Sequence, residues 1–116
     1  MSTRLTELQD KIIEFRDERD WSQFHDLKNL AEAISIEAGE LLELFLWKRT
    51  TNAGDMSATE LKRSREEIAD IFIFMTYFCH ETKIDLLDAV DAKLSANSEK
   101  YPVEKARGRS EKYSEL

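Results

Sequence analysis

Two pairs of acidic residues, each set among apolar residues, limit what this chain can fold into more than any other feature. Glu37 and Glu40 form the first pair, and Glu67 and Asp70 form the second. The i, i+3 spacing of each pair places both carboxylates on one side of a helix, about one turn apart. Apolar residues recur at helical spacing beside Glu37 and Asp70, so these two are predicted to face the core, with Glu40 at the edge of its apolar stripe.

Four carboxylates on inward-facing helix surfaces need something positive to hold them. Burial of an ionised carboxylate is costly unless the group is paired. Lysine or arginine partners, protonation through raised pKa values, and a hard divalent cation are the three alternatives. We favour the cation, because carboxylate oxygens are its preferred ligands. An all-carboxylate site suits Mg²⁺, with Mn²⁺ as a substitute, and these ions often bind jointly with substrate phosphates.

The residue spacing gives less support to other kinds of active site. A ferritin-like di-iron site requires Glu-x-x-His pairs, but the residues three positions before the two histidines are Ser22 and Tyr77. The three glycines are isolated, which excludes a glycine-rich phosphate loop. A serine or cysteine nucleophile acting with histidine and aspartate stays open, although no spacing favours it.

Composition limits the number of domains, the binding partners and the cellular compartment. The chain has 116 residues, enough for one domain with its own core, and a formal net charge of −7. That charge argues against a nucleic-acid polymer or an anionic membrane as the main partner. Cys79 is the only cysteine, so an intrachain disulfide and a thiolate zinc cluster are excluded. The apolar run 71–75 is too short to span a bilayer and the start of the chain does not resemble a signal peptide, so we expect a cytoplasmic protein.

The periodicity of apolar residues predicts an all-α fold. Four helices are expected, at about 5–19, 27–47, 57–81 and 85–100. Ser57 and Glu60 match a capping box at the start of helix three, and Asp85 is a good N-cap for helix four. We therefore predict a four-helix bundle-like domain.

Helix three is too apolar for the rest of the chain to cover. From 68 to 78 it is apolar on nearly every side, which is typical of a central helix. Three other helices of this length can hardly surround it, so we expect a homodimer or a dimer of dimers. The helical domain is predicted to span 1–102, and 103–116 is predicted to be a charged, solvated C-terminal tail of the same domain.

An aromatic loop precedes the first acidic helix. Trp21 and Phe24 either close the end of a small core or form a platform for a planar ligand, because aromatic faces stack on nucleobases. His25 alone would be typical of a surface or capping residue. On helix four, Lys93 and Asn97 fall on the apolar side, where the lysine could pair with a carboxylate or neutralise a bound phosphate.

The acidic pairs also resemble a known family. Glu37-x-x-Glu40, followed after twenty-six residues by Glu67-x-x-Asp70, is similar to the signature of the all-α nucleoside triphosphate pyrophosphohydrolases, the MazG-like superfamily. The resemblance is to the dCTP pyrophosphatase branch, and it is carried by the segments 20–29, 37–48, 97–102 and 112–116.

This resemblance implies a house-cleaning enzyme that uses Mg²⁺ to hydrolyse a nucleoside triphosphate between the α and β phosphates, with a dCTP-like preference. It implies that the metal ligands and catalytic residues are Glu37, Glu40, Glu67 and Asp70. It places the base and sugar pocket at Trp21, His25, Trp47 and Asn97, with Lys93 and Tyr101 nearby. It also implies a dimer or tetramer with the active site near a subunit interface.

Two alternatives stay open. An enzyme of the same fold could act on another substrate, such as dUTP or phosphoribosyl-ATP. A non-catalytic helical module could instead use its acidic pocket to bind a divalent cation or a basic partner. Glu43 and Glu66 are weaker candidates for the carboxylate site, and a solvated charge is the favoured interpretation of both.

Overall fold

The computed structural model describes residues 3–116, and no strand occurs among them, which confirms the all-α prediction. The chain divides into two compact units, the first ending at Lys83 and the second running from Ile84 to Leu116. The predicted boundary at 102 between helical domain and tail stays a prediction, and residues 1 and 2, where that domain was taken to begin, lie outside the described residues.

The first unit contains three long helices. They are α1 (Arg4–Glu18), α2 (Leu27–Glu43) and α3 (Ala58–Thr82), with 3₁₀ turns at Trp21–Phe24 and Ala53–Asp55. The second unit contains α4 (Leu86–Lys100), α5 (Val103–Ala106) and a 3₁₀ turn at Tyr113–Glu115. None of the helices in the described part of the chain is both long and apolar enough to cross a membrane.

Helix starts follow the predicted caps. The Ser57 hydroxyl accepts a hydrogen bond from the Glu60 backbone N–H at 3.1 Å, and the Glu60 carboxylate accepts one from the Ser57 N–H at 3.4 Å. Asp85 accepts from the Asp88 N–H at 3.0 Å. Each interaction satisfies a backbone donor that the first helical turn leaves unpaired, so the boundaries of α3 and α4 are fixed locally.

The end of α2 differs from the prediction. The helix stops at Glu43, and residues 44–47 continue as turns instead of helix. Trp47 has a φ of 65°, a left-handed conformation that redirects the chain away from the helix axis. No glycine marks this end, so the sequence carried no signal for it.

The core of the first unit is small. Its centre is formed by Ile12, Leu30 and Tyr77, one from each long helix, and Leu30 is only 1% exposed. Partly buried side chains pack around it, namely Ile13, Phe72, Ile73, Phe74 and Phe78. α2 and α3 pack most closely of all element pairs in the described residues, and this pairing brings the two acidic pairs together.

Much of the apolar surface of α2 and α3 is uncovered. Ile68, predicted to lie in a fully surrounded segment, is 57% exposed, and Ile36, Leu42 and Leu61 are also exposed. The chain by itself therefore does not bury helix three on every side.

Within the second unit, the C-terminal segment folds onto the end of α4. The Tyr113 ring meets the Tyr101 ring edge-on at 6.0 Å, and Lys100 Nζ lies 5.0 Å from the centre of the Tyr113 ring. The tail is charged and largely exposed, as predicted, but these ring contacts give it local order.

Candidate metal centre

Three carboxylates meet where α2 packs against α3. Glu37 comes from α2, and Glu67 and Asp70 come from α3, and each offers an oxygen within 4.8 Å of the other two. All three residues are half-buried. Since protein oxygens bind Mg²⁺ or Ca²⁺ at about 2.0–2.6 Å, one ion could reach all three with small side-chain rotations.

Glu40, the fourth member of the predicted set, lies beside this cluster. Its oxygens are outside the group of three, and its side chain is exposed on the wall of a surface cavity of about 370 Å³. A hydrogen bond with Glu40 and the negative charge of Glu40 both act on Glu37, one turn earlier on α2. The structure thus brings Glu37, Glu67 and Asp70 into one cluster, with Glu40 next to Glu37 at the cavity wall.

The crowding of acids changes the protonation of Glu37. Glu37 Oε2 and Glu67 Oε2 are both buried and, among the described residues, neither has a hydrogen-bond donor. A proton on Glu37 lets the two carboxyls share a hydrogen bond. This bond, together with burial and the negative charges of Glu40 and Asp70, raises the pKa of Glu37 to about 8.

The donor set fits a hard divalent cation. In residues 3–116, no lysine or arginine comes within 4.0 Å of any of the four predicted carboxylates, so basic partners do not balance them. The remaining ways to relieve their repulsion are a proton or a metal ion. Oxygen-only ligands are those that Mg²⁺, Mn²⁺ and Ca²⁺ accept.

Two basic residues share the 370 Å³ cavity with the acidic ones. Its lining consists of Glu40, Glu43, Leu44, Lys48, Arg63 and Glu67. Lys48 Nζ lies 3.5 Å from Glu60 Oε2, so the ammonium is held at the start of α3. Sequence reasoning missed Arg63, although its position four residues before Glu67 places both on one face of α3.

The aromatic loop leaves Phe24 62% exposed, so this residue does not close the core, while His25 and Trp21 each contact an aromatic ring of another helix. The His25 ring packs on Tyr77, with centroids 4.7 Å apart, and its Nδ1 is buried without a partner among the described residues. Burial and then the charge of Arg16 lower the pKa of His25 below its usual value. Trp21, by contrast, stands partly exposed and meets Phe15 edge-on at 5.7 Å.

An apolar cavity lies next to these rings. It has a volume of about 230 Å³ and is lined by Lys11, Ile12, Phe15, Ile73 and Tyr77. Trp21 contacts Phe15 and His25 contacts Tyr77, so each of these two predicted pocket residues packs on a residue of the cavity lining without lining the cavity itself. Its size and apolar walls suit one planar ring.

Four further predicted site residues lie outside α2 and α3, the helices that carry the carboxylates. Trp47 is 94% exposed. Lys93, Asn97 and Tyr101 belong to the second unit, where Lys93 is exposed and the other two are half-buried. Their roles in binding a substrate stay predictions.

Comparison with known proteins gives a consistent result. Residues 33–116 match the MazG-like family. The chain is 40% identical over 105 residues to dCTP pyrophosphatase 1 of Mus musculus and, to the same degree, of Homo sapiens. Those alignments cover 89% of this chain, which spans 62% of the length of each of these relatives.

A solved structure is similar as well. The crystal structure of a pyrophosphatase from Archaeoglobus fulgidus superposes with a TM-score of 0.81 at 39% sequence identity. The match covers 88% of this chain and 95% of that one. The helical arrangement described above is therefore one that an experimentally determined pyrophosphatase shares.

Proposed function

The chain belongs to the MazG-like family, and from this premise we propose that it is a nucleoside triphosphate pyrophosphohydrolase. It hydrolyses a (deoxy)nucleoside triphosphate between the α and β phosphates, with Mg²⁺, and releases the monophosphate and pyrophosphate. The dCTP pyrophosphatase relatives support a dCTP-like preference, and a house-cleaning role is part of the same proposal.

One observation carries this proposal. Glu37, Glu67 and Asp70 bring three carboxylate oxygens within 4.8 Å of one another in half-buried positions. Bringing these carboxyls together costs free energy that no basic residue in the described chain offsets, so a proton or a metal ion must offset it. Sites with perturbed carboxyl groups beside a cavity are typical of catalytic centres.

Glu37, Glu67 and Asp70 would hold the ion, with Glu40 completing the set at the cavity wall. When bound, a divalent cation offsets negative charge on the phosphates and lowers the pKa of a coordinated water. The chain's own contribution is to fix the carboxylates on two packed helices, so that little reorganisation is needed.

Glu40 is the side chain best placed to take a proton. It is exposed and lines the cavity, so one of its carboxylate oxygens can accept a hydrogen bond from water while the side chain stays next to Glu37. The water oxygen attacks the α phosphorus while its proton passes to the carboxylate. The bond from that phosphorus to the α–β bridging oxygen breaks, and pyrophosphate leaves with the electron pair.

The apolar cavity beside His25 and Trp21 suits the base. Its walls exclude water from a planar ring, and His25, kept neutral by its lowered pKa, offers one donor and one acceptor. Trp47, Lys93, Asn97 and Tyr101 complete the base, sugar and phosphate contacts in this proposal. A homodimer or homotetramer would cover the exposed apolar surface of α2 and α3, and with it helix three.

The decisive experiment measures pyrophosphate release from a panel of canonical and modified dNTPs with Mg²⁺. Glu40→Gln and Glu67→Gln keep the shape of the side chain and remove a charge. Glu66→Gln is the matched control, because Glu66 is exposed and lines a different cavity. We expect release by the wild type and the control, and a loss of about 100-fold or more in the two test variants.

The same experiment separates the alternatives. Release that peaks with another nucleotide, such as dUTP, would change the substrate and keep the reaction. A flat, weak signal across the panel that neither test variant alters would reject the enzyme. Stabilisation by Mg²⁺ alone would then favour a cation-binding module.

A further inference from the structure

The cavity beside the carboxylate cluster is unusual in joining acidic and basic side chains. Glu40 and Glu67 belong to the predicted metal-binding set, and Lys48 and Arg63 line the same space. Lys48 lies in the segment that follows α2, and Arg63 lies within α3. The cavity therefore joins the proposed metal site to two positively charged side chains.

Of the two cations, Arg63 gives the stronger evidence for a bound anion. Arg63, Glu67 and Asp70 are spaced i, i+4 and i+7, so they follow one face of α3, with Arg63 roughly 6 Å along the helix axis from Glu67. Three carboxylates line its cavity, yet Arg63 makes no hydrogen bond or ion pair with any residue from 3 to 116. Its planar fork of donors is left facing a space of about 370 Å³.

Lys48 is positioned by the start of α3. Its Nζ lies 3.5 Å from Glu60 Oε2, and Glu60 is itself held by the capping box with Ser57. An ammonium group has three donors, so this contact leaves others available toward the cavity. This contact holds the Lys48 ammonium beside α3, the helix that carries Arg63, and both cations line the same cavity.

From this arrangement we infer that Arg63 and Lys48 bind the β and γ phosphates, the part of the substrate that leaves as pyrophosphate. This inference rests on the proposed function. A triphosphate carries more negative charge than one divalent ion can offset, and Arg63 matches a phosphate through two parallel hydrogen bonds. The leaving pyrophosphate gains charge as the bridging bond breaks, so both cations stabilise it more than they stabilise the bound substrate.

A purely structural role makes a different prediction. If Arg63 only balanced Glu40, Glu43 and Glu67, its removal would change stability or Mg²⁺ affinity and would weaken all nucleotides equally. If it binds the terminal phosphates, its removal changes the preference for a triphosphate over a monophosphate. The affinity ratio is therefore the readout that separates the two roles.

The test uses isothermal titration calorimetry of the full chain with Mg²⁺. The probes are inorganic pyrophosphate, α,β-methylene-dCTP, which cannot be cleaved at the α–β bridge, and dCMP. The variants are Arg63→Ala, Arg63→Lys and Lys48→Ala. Arg65→Ala is the matched control, because Arg65 is an exposed arginine two residues along the same helix that lines another cavity.

We expect Arg63→Ala to weaken pyrophosphate and the methylene analogue by about 10- to 100-fold, the worth of a charge-assisted hydrogen bond, and dCMP by less than about twofold. Lys48→Ala should act in the same direction with a smaller effect, because a lysine binds phosphate as a point charge. Arg63→Lys should fall between Arg63→Ala and the wild type, and Arg65→Ala should match the wild type.

The inference is overturned if Arg63→Ala binds pyrophosphate as the wild type does, or if the analogue and dCMP weaken by the same factor. Arg63→Lys keeps the charge and provides the comparison if the alanine variant does not fold. Failure of the proposed function is seen separately, as absence of pyrophosphate release by the wild type in the dNTP panel. Pyrophosphate binding by the wild type and its loss in Arg63→Ala are measured without turnover.

Discussion

Arg16 of α1 is buried against Glu81 of α3, and its Nη1 donates a hydrogen bond to Oε1 of the glutamate. Arg16 is only 4% exposed. Its guanidinium also lies 5.9 Å from the centre of the Tyr77 ring, on which His25 packs. This contact therefore fixes α1 against α3 beside the cavity proposed to hold the base.

Replacing Arg16 by methionine should lower the free energy of unfolding by about 2 kcal/mol. Methionine keeps most of the apolar stem, so the loss reflects the ion pair and the Glu81 carboxylate left without its partner. Urea denaturation followed by circular dichroism measures the change. Arg65→Met is the control, because Arg65 is exposed and its side chain makes no ion pair or hydrogen bond with any residue from 3 to 116, and it should cost less than about 0.5 kcal/mol. Equal losses in the two variants would contradict the structural role of Arg16.

Substitution of Ser64 should raise the free energy of unfolding, whereas substitution of Arg16 should lower it. It is buried on α3, and its Oγ has no hydrogen-bond partner among the described residues. Ser64→Ala removes an unsatisfied polar group and improves helix propensity, so we expect stability to rise by about 0.5–1 kcal/mol. Thr76→Val is the comparison, because the buried Thr76 hydroxyl donates to the Phe72 carbonyl at 2.9 Å and its loss should not stabilise. A lower melting temperature for Ser64→Ala would show that the hydroxyl has a partner in solution.

Features set by neighbours in the sequence could be predicted well. The caps of α3 and α4 depend on residues three positions apart, such as Ser57 and Glu60, and the structure confirms them. The acidic pairs could be recognised for the same reason, because i, i+3 spacing fixes the helix face without knowledge of the fold. The end of α2 could not be predicted in this way. The chain turns there through a left-handed backbone at Trp47, and no glycine or asparagine at this position signals that conformation.

Features that depend on contacts between residues far apart in the sequence could not be predicted from the sequence. Arg16 lies among other charged residues of α1, and its partner Glu81 is 65 positions away. The only sequence signal was its place four residues after Ile12, on the buried side of α1. Likewise, which carboxylates cluster across the two helices depends on how α2 and α3 are aligned, and the spacing within either helix does not determine this alignment.

Mg²⁺ should stabilise the protein through the carboxylate cluster. A ligand that binds only the folded state raises the melting temperature in proportion to the logarithm of its concentration above its Kd. Glu67→Gln and Asp70→Asn should abolish this rise, because each removes one of the three clustered ligands. Glu66→Gln should keep it, and NaCl at the same ionic strength should not reproduce it. A rise of equal size in Glu67→Gln would place the ion elsewhere.

The raised pKa of Glu37 predicts an unusual pH dependence for the metal-free protein. The pKa of this carboxyl rises from 4.5 to about 8 on folding, so between these values the folded state binds more protons than the unfolded state. The contribution of Glu37 to stability is therefore fully present below pH 4.5 and is lost as the pH rises toward about 8.

Urea unfolding in EDTA across this pH range, with the wild type and Glu37→Gln, tests this expectation. The amide stays neutral, so the wild type should lose stability relative to the variant as the pH rises. His25, whose lowered pKa makes stability increase with pH in its own range, is present in both proteins and cancels from their difference. Saturating Mg²⁺ should reverse the trend, because a metal ion replaces the proton and binds better as the carboxyls ionise. A difference that does not change with pH would mean that Glu37 titrates normally and that the cluster is more open in solution.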